Sequence, residues 1–406
     1  MFALVLVAPG NGAAETFFVN SYEDVSDLNP GDGLCVAYLI VIPPFVLPFC
    51  TLRAAIQETN SLAGADEIVL TESTYTLTVE GTEEDSAATG DLDIMESVTI
   101  SGAGRGETVI DGGGLDRIFD IFGTESRVKI RDLSLQNGRV ASGFVEQGGG
   151  AIRNYATLSL TAVALSNNYV GGGGGGGAIC NLGNCTLLNA SVSLNGAWSG
   201  GALWNAAGAA MRVEQSTVRH SVSGAGGCLL NFGKFSLVNS TVSNNGAADG
   251  VAEPVAIWNS GEMELVQVTV AENTKADKGV GLQNFGELTM VNTLIAGHGG
   301  QDCRQQGGLT SLGGNLDSDT SCKLDGETDL SGLDPLLGSL GAHGGSTWSH
   351  LFLLTSPAMD NGVDLSAGGM LVDQRGRERP RGNGYDIGAV ELQFSTILPA
   401  LLPLLL

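Results

Sequence analysis

Between Gly148 and Gly300 the apolar and polar positions fall into one repeated pattern. Each copy opens on small residues, passes through two or three apolar ones, and closes on Asn: Asn154, Asn181, Asn205, Asn231, Asn259 and Asn284. These Asn are 27, 24, 26, 28 and 25 residues apart. Two further polar columns keep step with them. One reads Thr161, Asn189, Gln215, Asn239, Gln267, Asn292; the other reads Asn167, Asn195, Ser221, Asn245, Asn273, His298. Self-similarity at ~25 residues is the mark of a stacked solenoid. Inside a copy, runs such as Val238-Asn239-Ser240-Thr241-Val242 alternate at period two and are rich in Val, Thr and Ser, which is strand chemistry. No run inside the repeat has helical period. One copy has room for about three short strands, each pairing with its equivalent one coil along. The polar columns then stack as amide ladders at ~4.8 Å. The expected fold is all-β: a right-handed parallel β-helix over residues 67–340.

The ends break this pattern. Residues 1–14 read as the remnant of a signal peptide, with an apolar run before Gly12-Ala13-Ala14. Residues 15–66 read as an N-terminal cap. It holds one convincing helix, from Thr51 to about Ala63, with Thr51 as N-cap and Leu52, Ala55, Ile56 and Leu62 on one face. Such a helix would cover the open core and unpaired edges of the first coil. Residues 36–49 are almost wholly apolar and carry Pro43, Pro44 and Pro48, so they are too short and too broken to span a bilayer. They either pack over the solenoid end or stand out as a hydrophobic hairpin. Residues 341–392 form a non-repeating module, read as a C-terminal cap. The apolar tail, residues 393–406, is also too short for a membrane-spanning helix.

Composition narrows the picture. The 406 residues carry a net charge of −25 with 61 Gly, so nucleic acid, anionic membranes and acidic polysaccharides without a bridging cation are disfavoured partners. Membrane contact is left only to residues 36–49 or the tail. The seven Cys fall as Cys35/Cys50, Cys180/Cys185 and Cys303/Cys322, with Cys228 alone. No metal-binding spacing is present, so three disulfides in an oxidising compartment are expected.

Cys50-Thr51-Leu52-Arg53-Ala54-Ala55-Ile56 resembles the Cys-Ser-Leu-Arg-Glu-Ala motif of the CSLREA domain of secreted bacterial proteins. Ala54 stands where that motif has Glu. Ser356-Pro357-Ala358-Met359-Asp360 and Asp373-Gln374-Arg375-Gly376, with Asp386-Ile387-Gly388-Ala389-Val390-Glu391, resemble a choice-of-anchor module. The resemblance implies a secreted or cell-surface β-helix of the pectin-lyase-like fold and no defined reaction.

Candidate chemistry is sparse. A polysaccharide lyase needs a Ca²⁺ cradle of carboxylates and a basic residue, and Asp111, Asp116 and Asp120 with Arg117 are the nearest cluster. His298 matches one fragment of a hydrolase pattern but sits in the third ladder column. Asp317, Asp319 and Asp325 could hold Ca²⁺, the one cofactor the chain suggests, though they lack EF-hand spacing. Arg375, Arg377, Arg379 and Arg381 could form an anion patch. Trp204 and Trp258 precede their ladder Asn and would share one column, with Trp198 as a third ring for stacking on sugar. The leading expectation is a secreted, surface-associated, non-catalytic scaffold or adhesin whose partner is a polysaccharide or a surface protein. The alternative is a carbohydrate-active lyase or hydrolase.

Overall fold

The computed structural model describes residues 14–393 except 83, 142, 252, 275 and 276. The expected signal remnant and apolar tail therefore lie almost wholly outside the described residues. The chain folds as the expected parallel β-helix. An eleven-stranded first sheet runs from Thr16–Phe18 to Gly308–Ser311, and an eleven-stranded second sheet from Ser73–Thr76 to Leu330–Ser331. A nine-stranded third sheet runs from Leu92–Ile94 to Gln301–Gln305, and five short strands from Arg139–Val140 to Gly246–Ala247 make a fourth. Period-two alternation sends every second side chain inward. In the first sheet Val128, Leu158, Cys185, Met211, Phe235, Met263 and Leu288 stack coil on coil, all buried.

The Asn ladder is continuous. Asn154, Asn181, Asn205, Asn231 and Asn259 each donate Nδ2 to the next Asn Oδ1, at 2.7–2.8 Å, ending on Asn284. The other two columns shift by one residue at their first member. Ala162, Asn189, Gln215, Asn239, Gln267 and Asn292 all take φ between 44 and 54°, so this column is a left-handed corner that begins at Ala162, not Thr161. Asn tolerates that conformation better than most residues. The third column begins at Asn168, whose Nδ2 donates to Asn195 Oδ1 at 3.0 Å. Asn167 instead takes the turn, at φ 57°.

Helix α1 (Leu52–Ser61) caps the first coil, with the Thr51 side chain accepting from Ala54 N. Leu52, Ala55 and Ile56 close the core. Arg53 is fully buried. Its Nε meets Asp24 Oδ1 at 2.6 Å, and its Nη groups donate to the carbonyls of Ala87, Gly90 and Asp91.

Residues 341–392 do not sit over the far end. They fold back along the flank, held by the left-handed corner column. Asn292 exchanges two hydrogen bonds with the backbone of Val363, at 2.7 and 2.8 Å. Asn239 Nδ2 reaches Val372 O at 3.0 Å, Gln215 Nε2 reaches Asp373 O at 3.2 Å, and Asn189 Oδ1 accepts from Ser346 Oγ at 3.0 Å. The strap thus spans several coils. Two of the four arginines expected as an anion patch are internal, Arg375 paired with Asp373 and Arg379 with Glu391, whereas Arg377 and Arg381 are exposed, Arg381 beside Glu378.

Two of the three expected disulfides form, Cys35–Cys50 and Cys303–Cys322. Cys180 and Cys185 are free, as is Cys228, and all three are buried. Strand alternation explains the correction. Cys180 stands on the outer face of the third sheet, between Arg153 and Trp204. Cys185 points into the core from the first sheet, stacked on Leu158 and Met211.

Candidate functional site

Two outer surfaces gather chemistry. The first begins the outward column of the third sheet, which reads Asp93, Asp120, Arg153, Cys180, Trp204, Leu230, Trp258, Gln283, Arg304 in successive coils. At its N-terminal end Arg117 Nη1 bridges Asp91 at 3.1 Å and Asp120 at 3.0 Å. Arg153 grips both oxygens of Asp120, with Nε to Oδ1 at 2.9 Å. Carboxylate oxygens of Asp91, Asp93 and Asp120 lie within 4.8 Å of one another, and among the described residues no other acidic group converges so closely. Asp93 accepts from Ala87 N at 2.8 Å through Oδ2, while its buried Oδ1 has no partner. Asp91 and Asp120, with both arginines, line a cleft of about 280 Å³ that Asp116, Gln147 and Glu84 also line, while Asp93 lies outside its lining.

Burial, with repulsion among the carboxylates, sets the charge state here. Burial pushes Asp93 up to about 8, with Asp91 adding to it. Burial pushes Asp91 up to about 7 against the pull of Arg117. Both groups bind protons more tightly in the folded than in the unfolded chain. Stability therefore falls as pH rises from about 4, the unfolded carboxylate range, through 7–8. Thermal unfolding is expected several degrees higher at pH 5.5 than at pH 8.5, and Asp93→Asn should flatten that slope. An unchanged slope in the variant would sink the assignment.

Of the sequence candidates, Asp116, Arg117 and Asp120 do come together. Asp111 does not: its carboxylate caps Gly113 N and accepts from Gln136 and Asn137 elsewhere on the solenoid. His298 lies far along the chain's coils, its Nδ1 at 3.2 Å from Asn273 O, and burial lowers its pKa to about 4. Asp317, Asp319 and Asp325 do not form a metal cradle. Both Asp317 oxygens are taken, by Cys322 N and Ser331 Oγ, Asp319 caps Ser321, and Asp325 is exposed. Sequence reasoning missed Asp91, Asp93 and Arg153. The Asp91-Leu92-Asp93 alternation and the position of Arg153 just before a ladder Asn were the available signals.

The second surface is aromatic. Trp204 and Trp258 do share one column, but Trp204 is buried at 4% exposure beneath Gly175 and Val145, and its Nε1 has no partner. Trp258 is half-buried, 5.0 Å from the Phe285 ring. The open rings are Tyr169, 47% exposed, and Trp198, 54% exposed, on adjacent strands of the five-stranded sheet. Each lies flat on a glycine one coil along. A Cβ at Gly196 would fall 3.1 Å from Tyr169 Cδ2, and one at Gly224 would fall 2.5 Å from Trp198 Cε3. Each ring is thus backed by glycine on one side; over the Tyr169 ring also lies the Arg139 guanidinium, its Cζ 5.5 Å from the ring centroid. With Asn167, Leu194, His220 and Val222 the rings line a groove of about 630 Å³. The register sets the two rings on a diagonal, ~7–8 Å apart. The larger hollow on the outer face of the first sheet, about 680 Å³, is lined by polar side chains such as Thr186, Arg212, Lys234, Glu262 and Glu264 and offers no exposed ring.

No protein-family model matches this chain, and no curated protein sequence matches it. Among solved structures it is similar to the pectate lyase Pel9A, at 13% identity over 94% of this chain and 97% of that one, with a TM-score of 0.48. It is also similar to the A-module of the mannuronan C-5 epimerase AlgE6 of Azotobacter vinelandii, at 18% identity over 74% and 79% of the two chains, with a TM-score of 0.37. Neither likeness gives a residue of this chain a role.

Proposed function

We propose that this chain is an extracellular β-helix scaffold that binds a neutral polysaccharide without turning it over. The carrying observation is the pair of exposed rings, Tyr169 and Trp198, each backed by a glycine, with the Arg139 guanidinium also held over the Tyr169 ring. A pre-seated ring loses little entropy on binding and offers an apolar face to the C–H face of a sugar ring. A net charge of −25 argues against acidic glycans and against the bases of nucleic acid, which would otherwise suit such a platform. The two disulfides support an oxidising, extracellular setting. The kinship with secreted CSLREA and choice-of-anchor chains belongs to this proposal. The complete burial of Arg53 gives that motif a structural job.

The test is depletion of the purified chain by insoluble neutral polysaccharides, with and without Ca²⁺. Trp198→Ala and Tyr169→Ala should each weaken binding about tenfold, taking a stacked ring at ~1.4 kcal/mol, with thermal unfolding unchanged. Equal binding by both variants would remove the platform.

A second reading, a carbohydrate-active enzyme, is favoured by the convergence of Asp91, Asp116 and Asp120 with Arg117 and Arg153 in one cleft. A carboxyl held near 7 beside ion-paired carboxylates is a pattern that supplies general acid–base pairs. Released sugar ends in the same assay, lost on Asp116→Asn, would establish that reading over the first.

A further inference from the structure

The segment between Cys35 and Cys50 is an antiparallel hairpin of Tyr38–Ile42 and Phe45–Phe49, turning at Pro43-Pro44. No residue from 36 to 49 is charged. Of the two alternatives open to this segment, the structure takes the exposed one: Leu39, Ile40, Val41, Ile42, Phe45, Val46 and Leu47 are 42–65% exposed. The register places Ile40, Ile42, Phe45 and Leu47 on one face and Leu39, Val41 and Val46 on the other. Both faces and the tip are therefore apolar and open.

The base, by contrast, is fixed. The Cys35–Cys50 disulfide closes it, Tyr38 stacks on Phe49 with centroids 4.9 Å apart, and Tyr38 Oη meets Ser21 Oγ at 2.9 Å. Asn20 Nδ2 donates to Pro48 O at 3.3 Å. The hairpin is thus a built projection and not a collapsed loop.

We propose that this hairpin inserts into the headgroup–acyl boundary of a zwitterionic lipid bilayer. A protein groove covers one face of a strand pair and leaves the other wet. An occupant that meets both faces and the tip must surround the hairpin, as a lipid layer does. Depth follows from length and hydrogen bonding. Five residues span ~17 Å, short of the ~30 Å hydrocarbon core. The outer edges of both strands keep unpaired N–H and C=O groups that need water, which holds insertion to the interface. Charge selects the lipid. Asp27 and Asp32 line the hollow at the hairpin's flank, together with Leu28, Leu39 and Val46, and would be repelled by an anionic surface.

The test uses the full chain with phosphatidylcholine vesicles. Co-sedimentation is expected, weakened at least severalfold by adding 30% phosphatidylserine at low salt. Phe45→Trp should add blue-shifted emission over the parent protein, quenched by brominated phosphatidylcholine. Val41→Asp with Phe45→Asp should abolish co-sedimentation while leaving thermal unfolding and polysaccharide depletion unchanged. The proposal is overturned if the parent chain stays in the supernatant. It is equally overturned if light scattering without lipid finds a dimer that the double variant dissolves while vesicles bind neither form.

Discussion

Replacing Arg53 by Met lowers stability by about 3–5 kcal/mol, the largest effect expected of any single substitution in this chain. The guanidinium is fully buried and has no water to fall back on. It neutralises Asp24, which is 3% exposed, and satisfies three carbonyls of the 87–91 turn. Asp24 in turn receives Thr78 N at 2.6 Å and Val79 N at 2.9 Å, so the pair ties the cap, the first coils and the 87–91 turn into one network. Met fills most of the volume but strands a buried carboxylate and those carbonyls. Urea unfolding gives the size of the loss, and hydrogen exchange gives its place. Protection should drop first in helix α1 and the coils before Gln136, because each coil of a solenoid leans only on its neighbours. Arg53→Lys should recover only part, since an ammonium cannot fork to Asp24 and the turn together. A loss under about 1 kcal/mol in the Met variant would show that the network is dispensable.

Asn231→Ala in the middle of the ladder should cost about 3 kcal/mol. Asn231 accepts from Asn205 Nδ2 at 2.8 Å and from Gly233 N at 3.0 Å. It donates to Asn259 Oδ1 at 2.8 Å, Gly233 O at 3.1 Å and Glu262 O at 3.0 Å. Truncation leaves buried partners unsatisfied at ~1–3 kcal/mol each and opens a small cavity. Asn205 keeps Lys234 O, at 3.0 Å, which holds the total near the lower end. Asn231→Asp should cost more than Ala at neutral pH, because a buried anion would replace the donor to Asn259. If Ala and Asp variants both unfold at the parent's midpoint, the ladder carries no stability.

Much of this was readable in the chain because a solenoid is nearly one-dimensional. The Asn column, the alternating strands and helix α1 with its Thr51 cap depend on neighbours a few residues away or one coil along. Coil-to-coil spacing near 25 residues maps each column directly onto a stack, so Asn154 through Asn284 could be placed without coordinates. Where a corner varied by one residue, the map slipped by one, as at Ala162 and Asn168.

Other features depend on contacts that no local period records. Strand alternation set Cys180 and Cys185 on different faces of different sheets, and nearness in sequence could not show that. The 341–392 strap meets the corner residues across separations such as the 133 residues from Asn239 to Val372, and only the folded flank brings them together. The same holds for the rings. Trp204 was covered by a loop, whereas Tyr169 and Trp198 were left open by glycines in the next coil. Repetition in the chain determined the scaffold, since stacking repeats one local interaction many times. Loops of unequal length decided which outer residues were buried, paired or left facing water, because each loop's path depends on every coil it crosses.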